Sequence, residues 1–170
     1  MVRTLTFVAL LAARAWSKDE PTCASCDDAK PVPMVMIADP GVDDAGSMLL
    51  ALASSRAIEL LGVHTSYGCH SDLDVVHENA LRVLAAADRI GDVVVHRGAA
   101  MPRGAVEGLG DGDGRVAPGP LALGGPEVSR APLPPPESRA PQPNVSAAEH
   151  LVALARARPG EVVVATASAP

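Results

Sequence analysis

Three aspartates, Asp39, Asp43 and Asp44, fall within six residues of one another in the run Met34-Val35-Met36-Ile37-Ala38-Asp39-Pro40-Gly41-Val42-Asp43-Asp44. Like charges this close repel one another unless a cation or the positive end of a helix compensates them. A turn between Asp39 and Asp44 would let two carboxylates converge on one ion, with Gly41 permitting a tight backbone between them. Oxygen-only ligands favour a hard cation, Ca²⁺ or Mg²⁺, over zinc. A plainer reading stands beside this one, because Asp43 and Asp44 alone are ordinary residues for a helix N-terminus. On this segment by itself the two readings weigh evenly. An EF-hand is excluded: the twelfth position counted from Asp39 is Leu50, and counted from Asp111 in Asp111-Gly112-Asp113-Gly114 it is Ala122, where a bidentate Glu is required. Phosphoryl transfer with Asp39 as a strand-end nucleophile lacks a phosphate-gripping Lys or glycine-rich turn in the right place.

Other groups capable of chemistry carry less. Cys23, Cys26 and Cys69 cannot all pair within one chain. Cys23-Ala24-Ser25-Cys26 could be a redox pair or half a zinc site, but zinc needs two more ligands and Cys69-His70 is a poor match. Incidental thiols in a linker are the stronger reading. His64, His70, His77, His96 and His150 fall in no catalytic motif and read as surface or satisfied structural histidines.

The elements that must position the aspartates follow from the apolar pattern. Met34 to Ala38 is a short apolar run that suits a strand buried on both faces, and Asp39-Pro40-Gly41 breaks it. A helix is expected from Asp43, with Met48, Leu49 and Leu52 on one face. Ile58 to Thr65 reads as a second strand, then Leu73, Val76, Ala80, Val83 and Leu84 recur at helical spacing, and Val93-Val94-Val95 makes a third strand. Pro102 to Pro143 holds ten prolines and eight glycines and should be a long loop. Beyond it, Ser146 and Glu149 have capping-box spacing, with Leu151, Val152 and Ala155 continuing an apolar face. Glu161 to Thr166 is a fourth strand. Strands alternating with helices predict an α/β fold, a Rossmann-like open and mostly parallel sheet with flanking helices, whose ligands sit beyond the carboxyl ends of the strands.

Composition bounds the partners. The 170 residues suit one domain, and one Phe, one Trp and one Tyr leave the core to aliphatic side chains and provide no base-stacking platform. A net charge of -6 with no local basic run argues against nucleic acid. Residues 1–18, with basic Arg3, apolar Leu5 to Ala13 and the small-x-small triplet Ala13-Arg14-Ala15, resemble a signal or transit peptide. That would make the chain secreted or organellar, and otherwise it would be cytoplasmic. The stretch is too short to span a bilayer, so no membrane partner is expected. Residues 19–33 read as a linker. Asn144-Val145-Ser146 is a glycosylation sequon that matters only in a secreted chain.

Taken in order, Ile37 to Asp44, Ile58-Glu59-Leu60-Leu61-Gly62-Val63 and Asn79-Ala80-Leu81-Arg82-Val83-Leu84 resemble the inosine-uridine nucleoside hydrolase family. Glu107-Gly108-Leu109-Gly110-Asp111 looks like that family's glycine-rich loop, and Val164-Ala165-Thr166 like the start of its Ala-Thr-Gly-Pro-Leu-Thr-Asn motif. The resemblance spans Met34 to about Ser168, within a partial domain at 34–170. It implies water-driven cleavage of the N-glycosidic bond of ribonucleosides with a bound Ca²⁺ that also grips the ribose hydroxyls. It further implies that Asp39 is a calcium ligand and the general base, Asp44 a second ligand, the Thr166 carbonyl a third, and Asp43 a ribose contact. A small-molecule nucleoside is then the partner, and relatives that are often dimers or tetramers suggest a homo-oligomer by analogy.

This sequence departs from the pattern at named places. Ile37 and Ala38 stand where the family begins Asp-x-Asp, removing a supporting carboxylate. Gly68-Cys69 replaces a common Gly-Asn, so Cys69 is either a variant substrate-binding residue or a buried small side chain. Gly104 stands where a loop His is often found. The family's later Asp and His, on the leaving-group side of the pocket, have no counterpart in 170 residues. The expectation is an incomplete N-terminal portion of such a hydrolase, with a non-catalytic binding or interaction module as the alternative.

Overall fold

Alternating β-branched and unbranched aliphatics make Val32–Ala38 the first strand, β1, of the computed structural model, which describes residues 30–70, 72–99, 123 and 143–168. The remaining elements are helix α1 (Val42–Ala53), strand β2 (Ile58–Thr65), helix α2 (Leu73–Ala86), strand β3 (Val95–Arg97), helix α3 (Ala147–Ala157) and strand β4 (Val163–Thr166). The proposed targeting segment, the linker up to residue 29 and, apart from Leu123 and Pro143, the proline- and glycine-rich stretch lie outside the described residues. Among the described residues no helix is long and apolar enough to cross a membrane.

All four strands are parallel, in the order β3-β2-β1-β4. β1 runs beside β2 from Val32↔Ile58 to Ala38↔Thr65, with Leu61 accommodated at a register shift. On its other side Ile37 pairs with Thr166. The first two crossovers step one way from β1 and the chain then returns to the opposite side. The sheet therefore changes direction between β1 and β4, where open α/β sheets form a crevice at the carboxyl ends of their strands.

The core lies under α1 and α2. Met36, Ala38, Met48, Leu52, Val63, Ala80, Leu81, Leu84 and Val95 pack there, all aliphatic or thioether, as the scarcity of aromatics requires. Met48 is fully buried, which removes enough apolar surface from water to contribute roughly 1.5–3 kcal/mol. In α1 the buried row is Asp44, Met48, Ala51 and Leu52, whereas Leu49 and Leu50 are 37% and 69% exposed. The face expected through Leu49 is thus rotated, because Asp44 rather than a hydrophobe occupies its inner start.

One strand boundary and one helix face also differ from expectation. The third strand begins at Val95, since Gly91, at φ 92°, turns the chain so that Val93 bridges to Ile90 before the ladder with β2 begins. Helix α3 starts as expected: Ser146 Oγ accepts from Glu149 N–H and the Glu149 carboxylate accepts from Ser146 N–H at 2.9 Å. Its inner face, however, runs through Ala147, His150, Leu151 and Leu154, the i, i+3, i+4, i+7 row, leaving Val152 49% exposed and Ala155 exposed. Gly160, at φ 75°, supplies the left-handed residue that lets the chain reverse into β4.

Candidate active site

The first residue beyond β1 is Asp39, and the chain enters α1 within three residues of it. Gly41 is the N-cap, but at φ -90° it uses no conformation reserved for glycine, contrary to the expected role, and it makes no side-chain cap. Asp44, on the third position of the helix, folds back over the turn: its Oδ2 accepts from the Asp39 N–H at 2.9 Å. Asp44 is only 4% exposed. A buried carboxylate at a helix N-terminus gains from the dipole and from the amide it satisfies.

Asp39 is fixed from the neighbouring strand. Its Oδ2 accepts the Cys69 N–H at 2.5 Å, and the Cys69 thiol donates to the Asp39 main-chain carbonyl, with Sγ 2.6 Å from the oxygen. A Cβ on Gly68 would overlap the Asp39 carboxylate, so glycine is needed there for close approach. From below, Asn79 of α2, fully buried, donates its Nδ2 to Pro40 O at 3.1 Å, and Arg82 Nη1 donates to Asn79 Oδ1 at 2.9 Å. The turn is therefore clamped by β2 and α2 together.

Burial and the adjacent Asp44 carboxylate push the Asp39 carboxyl up from 3.8 to about 7. Burial, then the negative charges of Asp39, Asp44 and Asp43, push the Cys69 thiol up to about 12. The site concentrates negative charge and keeps its thiol protonated.

Of the residues singled out in the sequence, the structure brings Asp39, Asp44 and Cys69 together. Thr166 ends β4 at the same edge of the sheet, one strand away: Ala167 N–H donates to Ile37 O at 2.9 Å, and Thr166 Oγ1 donates to Ser168 O at 3.1 Å. Asp43 is exposed, and its carbonyl accepts from Ser47 Oγ at 3.1 Å. His70, next to Cys69, accepts from Asp72 N–H at 2.9 Å. Among the described residues no three His, Cys, Asp or Glu side chains form a metal-holding group.

Three residues that the sequence did not single out as functional belong to this edge. Asn79 clamps the turn as described. Ser66 and Ser168 follow β2 and β4 on either side of Asp39, and both hydroxyls are buried without a hydrogen-bond partner among the described residues. A polar residue within two positions of a strand's carboxyl end was the available signal. The apolar cleft of about 270 Å³ between α1 and the β1/β4 edge, lined by Met34, Met36, Leu50 and Ala165, reaches Thr166 but neither carboxylate.

A parallel α/β sheet with paired carboxylates at its switch point defines a class of proteins that bind small ligands at the strand ends. Within that class the chain belongs to the inosine-uridine preferring nucleoside hydrolase family, whose model matches residues 34–169. The fold is similar to that of a plant nucleoside hydrolase, PpNRh1, at TM-score 0.64 and 23% identity, over 81% of this chain and 39% of that one. It is likewise similar to an inosine-guanosine nucleoside hydrolase at TM-score 0.60 and 24% identity, over 79% of this chain and 38% of that one. The chain thus spans well under half the length of these solved structures. No curated protein matches the sequence.

Proposed function

We propose that this chain carries one wall of a nucleoside N-ribohydrolase site, in which Asp39 is the general base for water attack on the anomeric carbon of a ribonucleoside. The observation that carries the reading is the Asp39–Asp44 pair at the sheet's switch point, in a chain that belongs to the nucleoside hydrolase family. In the cation-free chain burial and Asp44 raise the Asp39 carboxyl to about 7, which makes it a better proton acceptor than a free aspartate. Asp39 would take the proton as the water oxygen bonds to C1′ and the C1′–N bond breaks, with the bonding electrons leaving on the base. The transition state is cationic at the ribose, and the surplus negative charge of Asp39, Asp43 and Asp44 stabilises it electrostatically.

The residues present fit a hard divalent cation. The adjacent Asp44 carboxylate raises the proton affinity of Asp39, and a cation relieves that repulsion as a proton does. Asp39, Asp44 and the Thr166 carbonyl would hold Ca²⁺, an all-oxygen set. When bound, Ca²⁺ would supply positive charge that acidifies a water and orients ribose hydroxyls. Asp43, exposed at the helix start, would contact the ribose, and Cys69 would lie beside it.

One observation favours the alternative of a catalytically inactive relative that binds a nucleoside or an ion. The Cys69 thiol is turned onto the Asp39 carbonyl, so the position offers no amide to a ribose hydroxyl. Recombinant chain incubated with inosine and with uridine in calcium decides between them. Ribose release above an Asp39→Asn control supports catalysis. Release no higher than that control rejects it and leaves the binding role, which calcium or ribose calorimetry then tests.

A further inference from the structure

On the face of the sheet opposite the core, three imidazoles from three elements meet. His64 of β2 and His150 of α3 share a hydrogen bond, Nε2 to Nδ1 at 2.9 Å, across 86 residues of sequence. His96 of β3 stacks on His150 with centroids 3.9 Å apart and planes 12° from parallel, and it meets His64 edge-on at 5.4 Å. His64 and His96 are 2% and 5% exposed. His96 Nδ1 contacts Val145 O at 3.0 Å, just before the N-cap of α3. The His150 ring rests against Gly62, where a Cβ would lie 3.2 Å from its Cε1.

Among the described residues, helix α3 has little else to hold it. Ala147 is its one buried residue, and Leu151 and Leu154 are half-buried. Its C-terminal end adds the Arg158–Glu59 ion pair at 2.8 Å, which is solvent-exposed and therefore weak. Among the described residues, the imidazole stack is the main polar attachment between this helix and the sheet.

We propose that the His64–His96–His150 stack is a pH-sensitive latch that docks α3 on the sheet when the imidazoles are neutral and releases it on acidification. One proton suffices between the facing nitrogens of His64 and His150, so that two imidazolium rings would place a hydrogen on both and break the bond. Face-to-face cations at the His96–His150 spacing repel one another as well. Among the described residues no carboxylate offsets this. The charged groups on the packed elements are Glu59 on β2, Arg97 on β3 and Glu149, Arg156 and Arg158 at α3. Glu59 is held by Arg158, Arg97 by Asp74 and Glu149 by Ser146. β1 adds only Val35 and Ile37 to that face, both uncharged.

Burial first, then the charges of His150 and His96, push His64 from 6.5 down to about 4, and burial with His96 lowers His150. Above pH 6.5 His64 and His150 are largely neutral whether docked or undocked, and the latch holds. Below it an undocked His64 or His150 ring takes a proton that the docked one refuses. Each such ring therefore shifts the equilibrium about tenfold towards release per pH unit until the docked value is passed, for His64 at about 4. Helix α3 leads directly into β4, so release would loosen the connection to the strand that ends in Thr166.

Hydrogen–deuterium exchange of the full chain, corrected for intrinsic rates, tests this. Protection of amides in residues 147–157 should fall at least tenfold between pH 7.5 and 5.5, while amides of β1 and β2 keep theirs. In His150→Leu, and independently in His96→Phe, which keeps a stacked ring, the α3 fall should shrink or vanish. The proposal is overturned if wild-type α3 protection is flat over this range. It is equally overturned if the fall persists unchanged in whichever variant folds.

Discussion

Cys69 and Asp39 meet twice, the amide of one on the carboxylate of the other and the thiol on the carbonyl, so the loop after β2 and the turn after β1 form one rigid unit. That unit holds the carboxylate pair in place without help from a ligand.

The thiol in this unit should be unreactive. A value pushed up to about 12 leaves very little thiolate near neutrality, and thiolate is the nucleophile. In a Cys23→Ser, Cys26→Ser background, iodoacetamide at pH 8 should modify Cys69 at least about a hundredfold more slowly than a free thiol, on the scale set by the fraction ionised. Mass spectrometry over time checks this, and labelling at the free-thiol rate contradicts it.

Gly68→Ala places a methyl group on the Asp39 carboxylate. Forcing a group into packed space costs roughly 1–3 kcal/mol. Urea unfolding should show a lower midpoint with the slope unchanged, and calcium affinity should fall with it if Asp39 is displaced as described.

Asp39→Asn should stabilise the cation-free chain at pH 8. Between 3.8 and about 7 the folded chain keeps a proton on Asp39 that the unfolded chain has released. The pair's contribution is therefore most favourable at low pH, declines as pH rises, and is lost above about 7. Asn removes the repulsion and can still accept from Cys69 N–H. Since Asp39 is partly solvated, the gain is discounted to about 1 kcal/mol, or a rise of a few degrees in Tm at pH 8 that is smaller at pH 5 and disappears only below the unfolded value of 3.8. Calorimetric melts at the two pH values measure it.

Much of this was legible in the sequence because it is local. The apolar run before Asp39-Pro40-Gly41 marked β1 and its turn, and Ser146 with Glu149 marked the start of α3, because strand burial and capping are written within a few residues. The family resemblance rested on such local motifs, and the matched family model agrees with it. What escaped depends on distant contacts. The rotation of α1 that exposes Leu49 follows from burying Asp44 against the Asp39 amide, and no periodicity reveals an aspartate on an inner face. Asn79 under Pro40 and the stacked histidines join residues far apart in the chain, where spacing carries no information.

Asn79→Ala removes the donor to Pro40 O and leaves a buried carbonyl and Arg82 short of a partner. An unsatisfied buried group costs roughly 1–3 kcal/mol. Denaturation should report that loss, and Asn79→Asp, which keeps the acceptor for Arg82 but not the donor to Pro40, should recover only part of it.

Calcium titration of the purified chain by calorimetry, beside Asp44→Asn, tests the central claim that the carboxylate pair after β1 is a cation site. The account predicts saturable binding of one ion to the wild type and its loss in Asp44→Asn. Heats no larger than dilution in the wild type, or equal binding by the two proteins, would contradict it.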